Sequence, residues 1–238
     1  MTVTNKTACR DALKARILSL DLAPGTELDE TQIAREYGLS RTPLREIFQV
    51  LAGEGYLRLE TNRGARVTSM DLAIMRTFFQ TAPLVYATTA RLAAENRRSD
   101  QIAGLKETQA RFLTATEGED SAAAALENHA FHRQIGEMAA NPYLMPALCR
   151  MLIDHTRLSQ TFYRPATKKE KKLVKKAAQQ HDAMIAAIEG QAPDVAIDLT
   201  LQHWDLSRDR MERFVRPDPL PLDVVSFDAL KEARNNAV

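Results

Sequence analysis

Leu39-Ser40-Arg41-Thr42-Pro43-Leu44-Arg45-Glu46 sets a helix start and two unlike helix faces into one short run. Ser40 is a favourable N-cap, with a hydroxyl able to accept from the orphan amides of the first turn. Pro43 falls inside that turn, where its missing N–H costs little. Further along, Leu44, Ile47, Phe48 and Leu51 recur at i, i+3, i+4 and i+7 and form one buried stripe. Arg41, Thr42, Arg45 and Gln49 gather on the opposite side. A polar, cationic face of this kind on a short helix has the shape and charge to enter a nucleic-acid groove.

Working outward, two shorter helices precede Ser40. The first carries Leu13, Ile17 and Leu20 on one face and ends near Pro24-Gly25. The second runs from about Asp29 to Tyr37, opened by Asp29 with Gln32 as a capping box, buries Ile33, Ala34 and Tyr37, and stops at Gly38. After the third helix, Tyr56 to Glu60 reads as a strand, Thr61-Asn62-Arg63-Gly64 as a turn, and Ala65 to Thr68 as a returning strand. Three helices and a two-stranded wing make a winged helix-turn-helix over residues 1–70.

Beyond Met70 the composition shifts to Ala-rich and Leu-rich segments with helical periodicity, broken near Ser99, Gly118, Asn141-Pro142, Pro165 and Pro193. Six helices fit, over 71–97, 100–116, 121–139, 143–162, 168–189 and 194–214. At about 1.5 Å per residue they suit an antiparallel bundle with an interior pocket, here assigned to residues 71–215. Pro83 falls within the first of them and should kink it. Residues 216–238, with Pro217, Pro219 and Pro221, form a C-terminal tail. The fold class is therefore mainly α: an N-terminal winged helix-turn-helix followed by an all-helical antiparallel bundle.

Composition narrows the partners. The chain has 238 residues, 45% apolar and 26% charged, enough to bury two cores without disulfide or metal staples. Its net charge is only +1, so any nucleic-acid contact must come from a local arrangement of basic side chains. Cys9 and Cys149 stand in no metal or redox spacing and read as ordinary thiols of a reducing compartment. The N-terminus carries no apolar signal region and no run approaches a membrane span, so a cytoplasmic, membrane-free location is expected.

Four separated motifs then fall in order: P-G-x-x-L at Pro24 to Leu28, S-R-T-P-L-R-E at Ser40 to Glu46, E-G-Y at Glu54 to Tyr56 and N-R-G-x-x-V at Asn62 to Val67. Over residues 8–69 the chain resembles a GntR-family transcription regulator. The helical remainder, with E-N-H-A-F-H-R-Q-I at Glu127 to Ile135, His181 and His203, resembles the effector-binding FCD domain of the FadR-type branch. The resemblance implies a homodimeric regulator, commonly a repressor, that binds double-stranded operator DNA and releases it when a small metabolite, commonly a carboxylate, enters the bundle.

For DNA contacts, Arg41, Thr42 and Arg45 are the expected base readers, Ser40, Gln49 and Arg35 supplementary contacts, Gly64 a minor-groove contact at the wing tip, and Arg63 and Arg66 phosphate partners. The competing reading is a solvated arginine face paired with Glu46 and Glu54. Thr31 stands where the family has a base-reading arginine, so operator sequence does not transfer from relatives. The basic run Lys168 to Lys176 reads as the solvated side of a helix whose buried stripe runs through Leu173 and Ala177 to His181.

Asn128 and His132 are four apart on one helix, and His181 and His203, 203 minus 181 or 22 apart, lie on buried stripes of two later helices. Spacing alone leaves two readings open, core histidines or metal ligands. The resemblance implies a divalent metal, with Zn or Ni expected, bound by Asn128, His132, His181 and His203. Asn128 replaces the commoner Asp, leaving the site more cationic and favouring an anionic effector. His155 is expected to line the effector pocket or to act as an outer-sphere donor, and His129 to face solvent. Thr81 to Tyr86 stands where many relatives have an Arg and a Glu that hold the effector. Two alternatives stay open: a constitutive dimeric DNA binder with a structural bundle, and a metal-dependent hydrolase.

Overall fold

The computed structural model describes residues 2–60 and 64–215. The expected turn residue Arg63 and the tail 216–238 lie outside the described residues. The N-terminal module consists of α1 (Thr2–Leu18), α2 (Glu30–Glu36), α3 (Arg41–Gly53), β1 (Leu57–Glu60) and β2 (Gly64–Val67). The bundle consists of α4 (Leu72–Asn96), α5 (Ser99–Glu117), α6 (Ser121–Ala139), α7 (Leu144–Phe162), α8 (Lys168–Glu189) and α9 (Pro193–Val215).

In the N-terminal module, Leu13 and Ile17 of α1 meet Leu44, Ile47, Phe48 and Leu51 of α3 over Tyr56, Leu57, Ala65 and Val67 of the wing. The two strands pair antiparallel with Leu57 opposite Val67 and Glu60 opposite Gly64, and Glu27 adds a bridge to Arg66. Ile33 is the buried residue of α2, whereas Ala34 and Tyr37 are only half-buried against the same core. Leu20 lies past the end of α1 at φ 69°, so the expected stripe stops at Ile17. At the second helix start, Asp29 Oδ1 accepts from both Thr31 N and Gln32 N at 2.9 Å.

The bundle helices fall close to where the periodicity sets them. α4 runs through Pro83, as its expected span does, its core side made by Met75, Phe78, Ala82, Tyr86, Ala90, Ala93 and Ala94. It packs on α6 and α9, while α5 packs on α6 and α8, and α7 on α6 and α9. Thr167 and Glu170 form a reciprocal capping box at the start of α8. Its lysines are exposed, and its buried stripe runs through Val174, Ala177, Ala178 and His181, with Leu173 half-buried at the edge. Among the described residues no helix is long and apolar enough to cross a membrane.

The two modules dock through α7. Ile153 sits in the core of the N-terminal module. Gln160 Nε2 donates to Leu18 O at 3.1 Å, and Arg157 Nη1 donates to Thr68 O at 2.8 Å.

Candidate functional site

The first candidate surface is the outer side of α3. Leu44, Ile47, Phe48 and Leu51 are at most 1% exposed, whereas Ser40, Arg41, Thr42, Arg45 and Gln49 are all exposed. Burial of the stripe thus fixes which side the polar residues present. Ser40 holds the N-cap position with extended backbone, but its side chain makes no capping bond, which corrects the expected hydroxyl cap. Glu46 and Glu54 do not pair with the arginines of this face; they pair with Lys6 and Lys14 of α1, each at 2.5 Å. Arg35 is exposed in the last turn of α2.

A cleft of about 400 Å³ separates α3 from the wing, bordered by Glu30, Arg45, Gln49, Glu60 and Gly64. Arg45 Nε stands 3.6 Å from Glu30 with its side chain 68% exposed, so this contact is too weak to hold the guanidinium. Gly64 has φ +82°, a conformation that favours glycine, and opens β2. Arg66 departs from its expected phosphate role. Its guanidinium donates to Gly25 O at 2.9 Å and pairs with Glu27 and Glu60, tying the wing to the turn after α1. Glu27, Glu30 and Glu60 gave no local signal in the sequence, because their partners come from other elements.

The second candidate lies inside the bundle. Asn128 and His132 of α6, His181 of α8 and His203 of α9 are all buried, between 0 and 6% exposed. One nitrogen from each of the three imidazoles falls within 4.8 Å of the others. Asn128 Oδ1, His132 Nε2 and His181 Nε2 are buried without a hydrogen-bond partner. Unpaired buried polar atoms are costly, so these three call for a further partner. The donor set fits a cation that accepts imidazole nitrogen and amide oxygen, as Zn or Ni does.

Two glutamines that sequence reasoning missed set the ring orientations. Gln109 Oε1 accepts from His181 Nδ1 at 3.0 Å, and Gln180 Oε1 accepts from His203 Nδ1 at 3.3 Å. A carbonyl oxygen can only accept, so each Nδ1 carries the proton and each Nε2 keeps its lone pair. Gln109 is itself held by donating to Ala178 O and Asp182 Oδ1, both at 3.0 Å. Phe131 stacks on His181 at 4.1 Å and 16°. Burial drives His203 down to about 4. Burial first, then the neighbouring imidazoles, hold His132 and His181 well below the usual histidine range. The rings are therefore neutral and ligand-competent at pH 7.

His155 is adjacent, its ring centre 5.6 Å from that of His132. Its Nδ1 shares a hydrogen bond of 2.8 Å with the Tyr86 hydroxyl, and burial pushes it to about 3. Tyr86 belongs to the Thr81–Tyr86 stretch whose departure from the family pattern was noted above. His129 does not face solvent as expected. Its Nδ1 meets Thr156 Oγ1 at 2.8 Å, and burial pushes it to about 4.

A winged helix-turn-helix whose exposed α3 face is polar, docked to a helical bundle with an interior histidine cluster, defines the class as a two-module DNA-binding regulator. Comparison with known proteins makes it specific. The model for bacterial regulatory proteins of the gntR family matches residues 6–67, and the FCD domain model matches residues 84–206. The chain belongs to the GntR family of transcriptional regulators, in the group that carries an FCD domain. The HTH-type transcriptional regulator YdhC of Bacillus subtilis is 27% identical over 188 residues, 71% of this chain and 82% of that protein. The "Probable D-xylose utilization operon transcriptional repressor" of Paenarthrobacter nicotinovorans is 26% identical over 196 residues, 82% of this chain and 83% of that protein. An HTH-type regulator from an unstable DNA locus of Streptomyces ambofaciens is 39% identical, but over 29% of this chain and 30% of that protein. The solved structure of Escherichia coli McbR/YncC superimposes with a TM-score of 0.75 at 16% identity, covering 89% of this chain and 99% of that one, which is a likeness of fold. Family and relatives are transcriptional regulators rather than enzymes.

Proposed function

We propose that the chain is a ligand-responsive repressor that acts as a homodimer in the cytoplasm, with residues 1–70 reading operator DNA and residues 71–215 sensing a small carboxylate beside a divalent metal. Arg41, Thr42 and Arg45 contact base edges, with Ser40, Gln49 and Arg35 on flanking backbone, Arg63 on phosphate and Gly64 in the minor groove. Arg66 positions the wing instead of meeting phosphate. Each winged module takes one half-site of a pseudo-palindrome, with half-site centres about 34 to 36 Å apart. The relative named as a repressor supports the sign of regulation.

The observation that carries the sensing half is the grouping of His132, His181 and His203, with His132 Nε2, His181 Nε2 and, four residues before His132 in sequence, Asn128 Oδ1 buried without partners. Asn128, His132, His181 and His203 would hold the metal, Zn or Ni by donor type, which when bound supplies a Lewis-acidic anchor for a carboxylate. Gln109 and Gln180 hold the imidazoles in the required tautomer. Tyr86 and His155 border the cluster and line the effector pocket.

Coupling between the two halves follows from α7. His155 adjoins the cluster, and its neighbours Asp154 and Arg157 face the winged module. Arg157 is fully buried and donates to Thr68 O while pairing with Asp154. A shift at His155 and a shift of the chain leaving the wing are therefore movements of one helical turn. A coupling of about 1 to 3 kcal/mol between effector and operator is expected.

The test is zinc titration against a chromophoric chelator, followed by operator binding in the presence of a panel of short carboxylic acids. One metal per chain, lost in His132→Ala, with operator release by at least one acid, is expected. Equal zinc binding by the variant, or operator affinity indifferent to every acid, would leave a constitutive DNA binder.

A further inference from the structure

A cleft of about 380 Å³ lies between the winged module and the bundle, on the flank of α6 that adjoins the one carrying the histidine cluster. His129 and Arg133 face this cleft, whereas Asn128 and His132 of the same helix face the cluster. Lys14 from α1, Arg133 from α6 and Arg150 from α7 converge on it, and Glu54 is the one carboxylate among the residues that line it. Three cations and one carboxylate line the wall itself, while Glu137 and Asp154, which pair with Arg133 and Arg150, are not among the lining residues.

None of the three cations is used up. Arg133 meets Glu137 through Nε at 3.2 Å, in a pair whose side chains are 56% and 50% exposed, so the contact is weak. Arg150 meets Asp154 through Nη1 at 3.0 Å. Each guanidinium has five N–H groups, so several remain for a ligand. Lys14 is held over the Tyr56 ring at 5.3 Å and beside Glu54.

The winged side of the cleft is shaped for close approach. Gly55, at φ +90°, lies under Arg150, and a Cβ there would stand 2.4 Å from Arg150 Cδ. A side chain at this position would displace the arginine. Gly55 directly follows α3 and its cap Glu54, so anything held by Arg150 also touches the end of the helix proposed to read DNA.

We propose that this cleft is a second ligand site, separate from the histidine cluster, which binds a compact doubly charged oxyanion, a phosphate monoester or a short dicarboxylate, through Arg133, Arg150 and Lys14. Guanidinium forks match such oxygens with two parallel bonds. A ligand gripped by α1, α6 and α7 together stabilises the docked arrangement of the two modules and not either module alone. The site needs no metal and stands whether or not the histidine cluster senses an effector.

The test is calorimetric titration of the full chain with inorganic phosphate and, in a second arm, succinate, at constant ionic strength maintained with chloride. Saturable binding of at least one probe is expected, weakened fivefold or more in Arg133→Gln and in Lys14→Gln, and unchanged in His181→Ala. Both substituted cations are at least partly exposed, and circular dichroism checks that the variants fold. The arm that saturates tells phosphate from carboxylate recognition. Absence of saturation in both arms, equal binding by Arg133→Gln and Lys14→Gln, or loss of binding in His181→Ala would each overturn the proposal.

Discussion

Acidification below pH 6.5 should unfold the metal-free protein over a narrow interval, because four imidazoles are buried together in neutral form. His132, His155, His181 and His203 are between 0 and 6% exposed. Burial brings His155 to about 3 and His203 to about 4, and burial with neighbouring imidazoles keeps His132 and His181 well below 6.5. The unfolded chain takes up these protons as the pH falls through about 6.5, while the folded chain refuses them. Their stabilising contribution is thus complete above pH 6.5 and is lost as the pH falls toward the folded values. The slope from these four is four times 1.36, about 5 kcal/mol per pH unit, and His129, also held at about 4, adds to it. A typical stability of about 5 to 15 kcal/mol would be exhausted about 1 to 3 units below pH 6.5. Metal bound only by the folded state, at 1,000 times its dissociation constant, adds about 4.1 kcal/mol and so moves the acid midpoint down by roughly 0.8 unit. Far-ultraviolet circular dichroism against pH, in chelator and in zinc, measures both quantities. A chelator-treated protein that stays folded to pH 3, or identical midpoints with and without zinc, would refute the reasoning.

Replacing Arg45 by Ala should relax base preference by about 1 to 3 kcal/mol at one position of each half-site, read by competition between matched and substituted duplexes; a uniform loss on all sequences would indicate a backbone contact instead. Arg157→Met removes one of the two cationic partners of buried Asp154, leaving Arg150, and the donor to Thr68 O, so urea denaturation should report a loss of about 1 to 3 kcal/mol, and a loss under about 0.5 kcal/mol would contradict a buried, hydrogen-bonded pair. Asn128→Asp adds a negative ligand beside three neutral imidazoles and should tighten zinc by about tenfold or more; unchanged affinity in chelator competition would remove Asn128 from the ligand set.

How much of this was legible in the sequence depended on the range of the signal. The inward stripe of α3 and the outward placement of Arg41, Thr42, Arg45 and Gln49 follow from helical period alone, and the structure reproduces them. The bundle boundaries were readable because the breaks carry their own chemistry. Thr167 and Glu170 cap α8, Gly118 and Gly190 close α5 and α8, and the left-handed Ala140 precedes Asn141. Of the residues singled out as ligands, the fold brings nitrogens of His132, His181 and His203 together and buries Asn128. What stayed hidden was long-range pairing. Arg66 read as a phosphate contact because its partners Glu27 and Glu60 come from a loop and the opposite strand. His129 read as exposed because Thr156, which holds it, lies on another helix. Gln109, Gln180 and Arg157 carry no local motif, and only the docked helices reveal what each one orients. Leu20 failed differently: α1 ends at Leu18, and Leu20 takes a left-handed backbone at φ 69°.

The central claim is that the histidine cluster governs the grip of α3 on DNA. Its most direct test is fluorescence anisotropy of a duplex obtained by random-sequence selection, titrated with wild-type protein and His181→Ala in zinc, with and without the carboxylic acid that releases the wild type. The account predicts equal affinity of both proteins for the free duplex, and release by the acid of the wild type alone. Release of His181→Ala at the same acid concentration, or no duplex enriched by the selection at all, would contradict it.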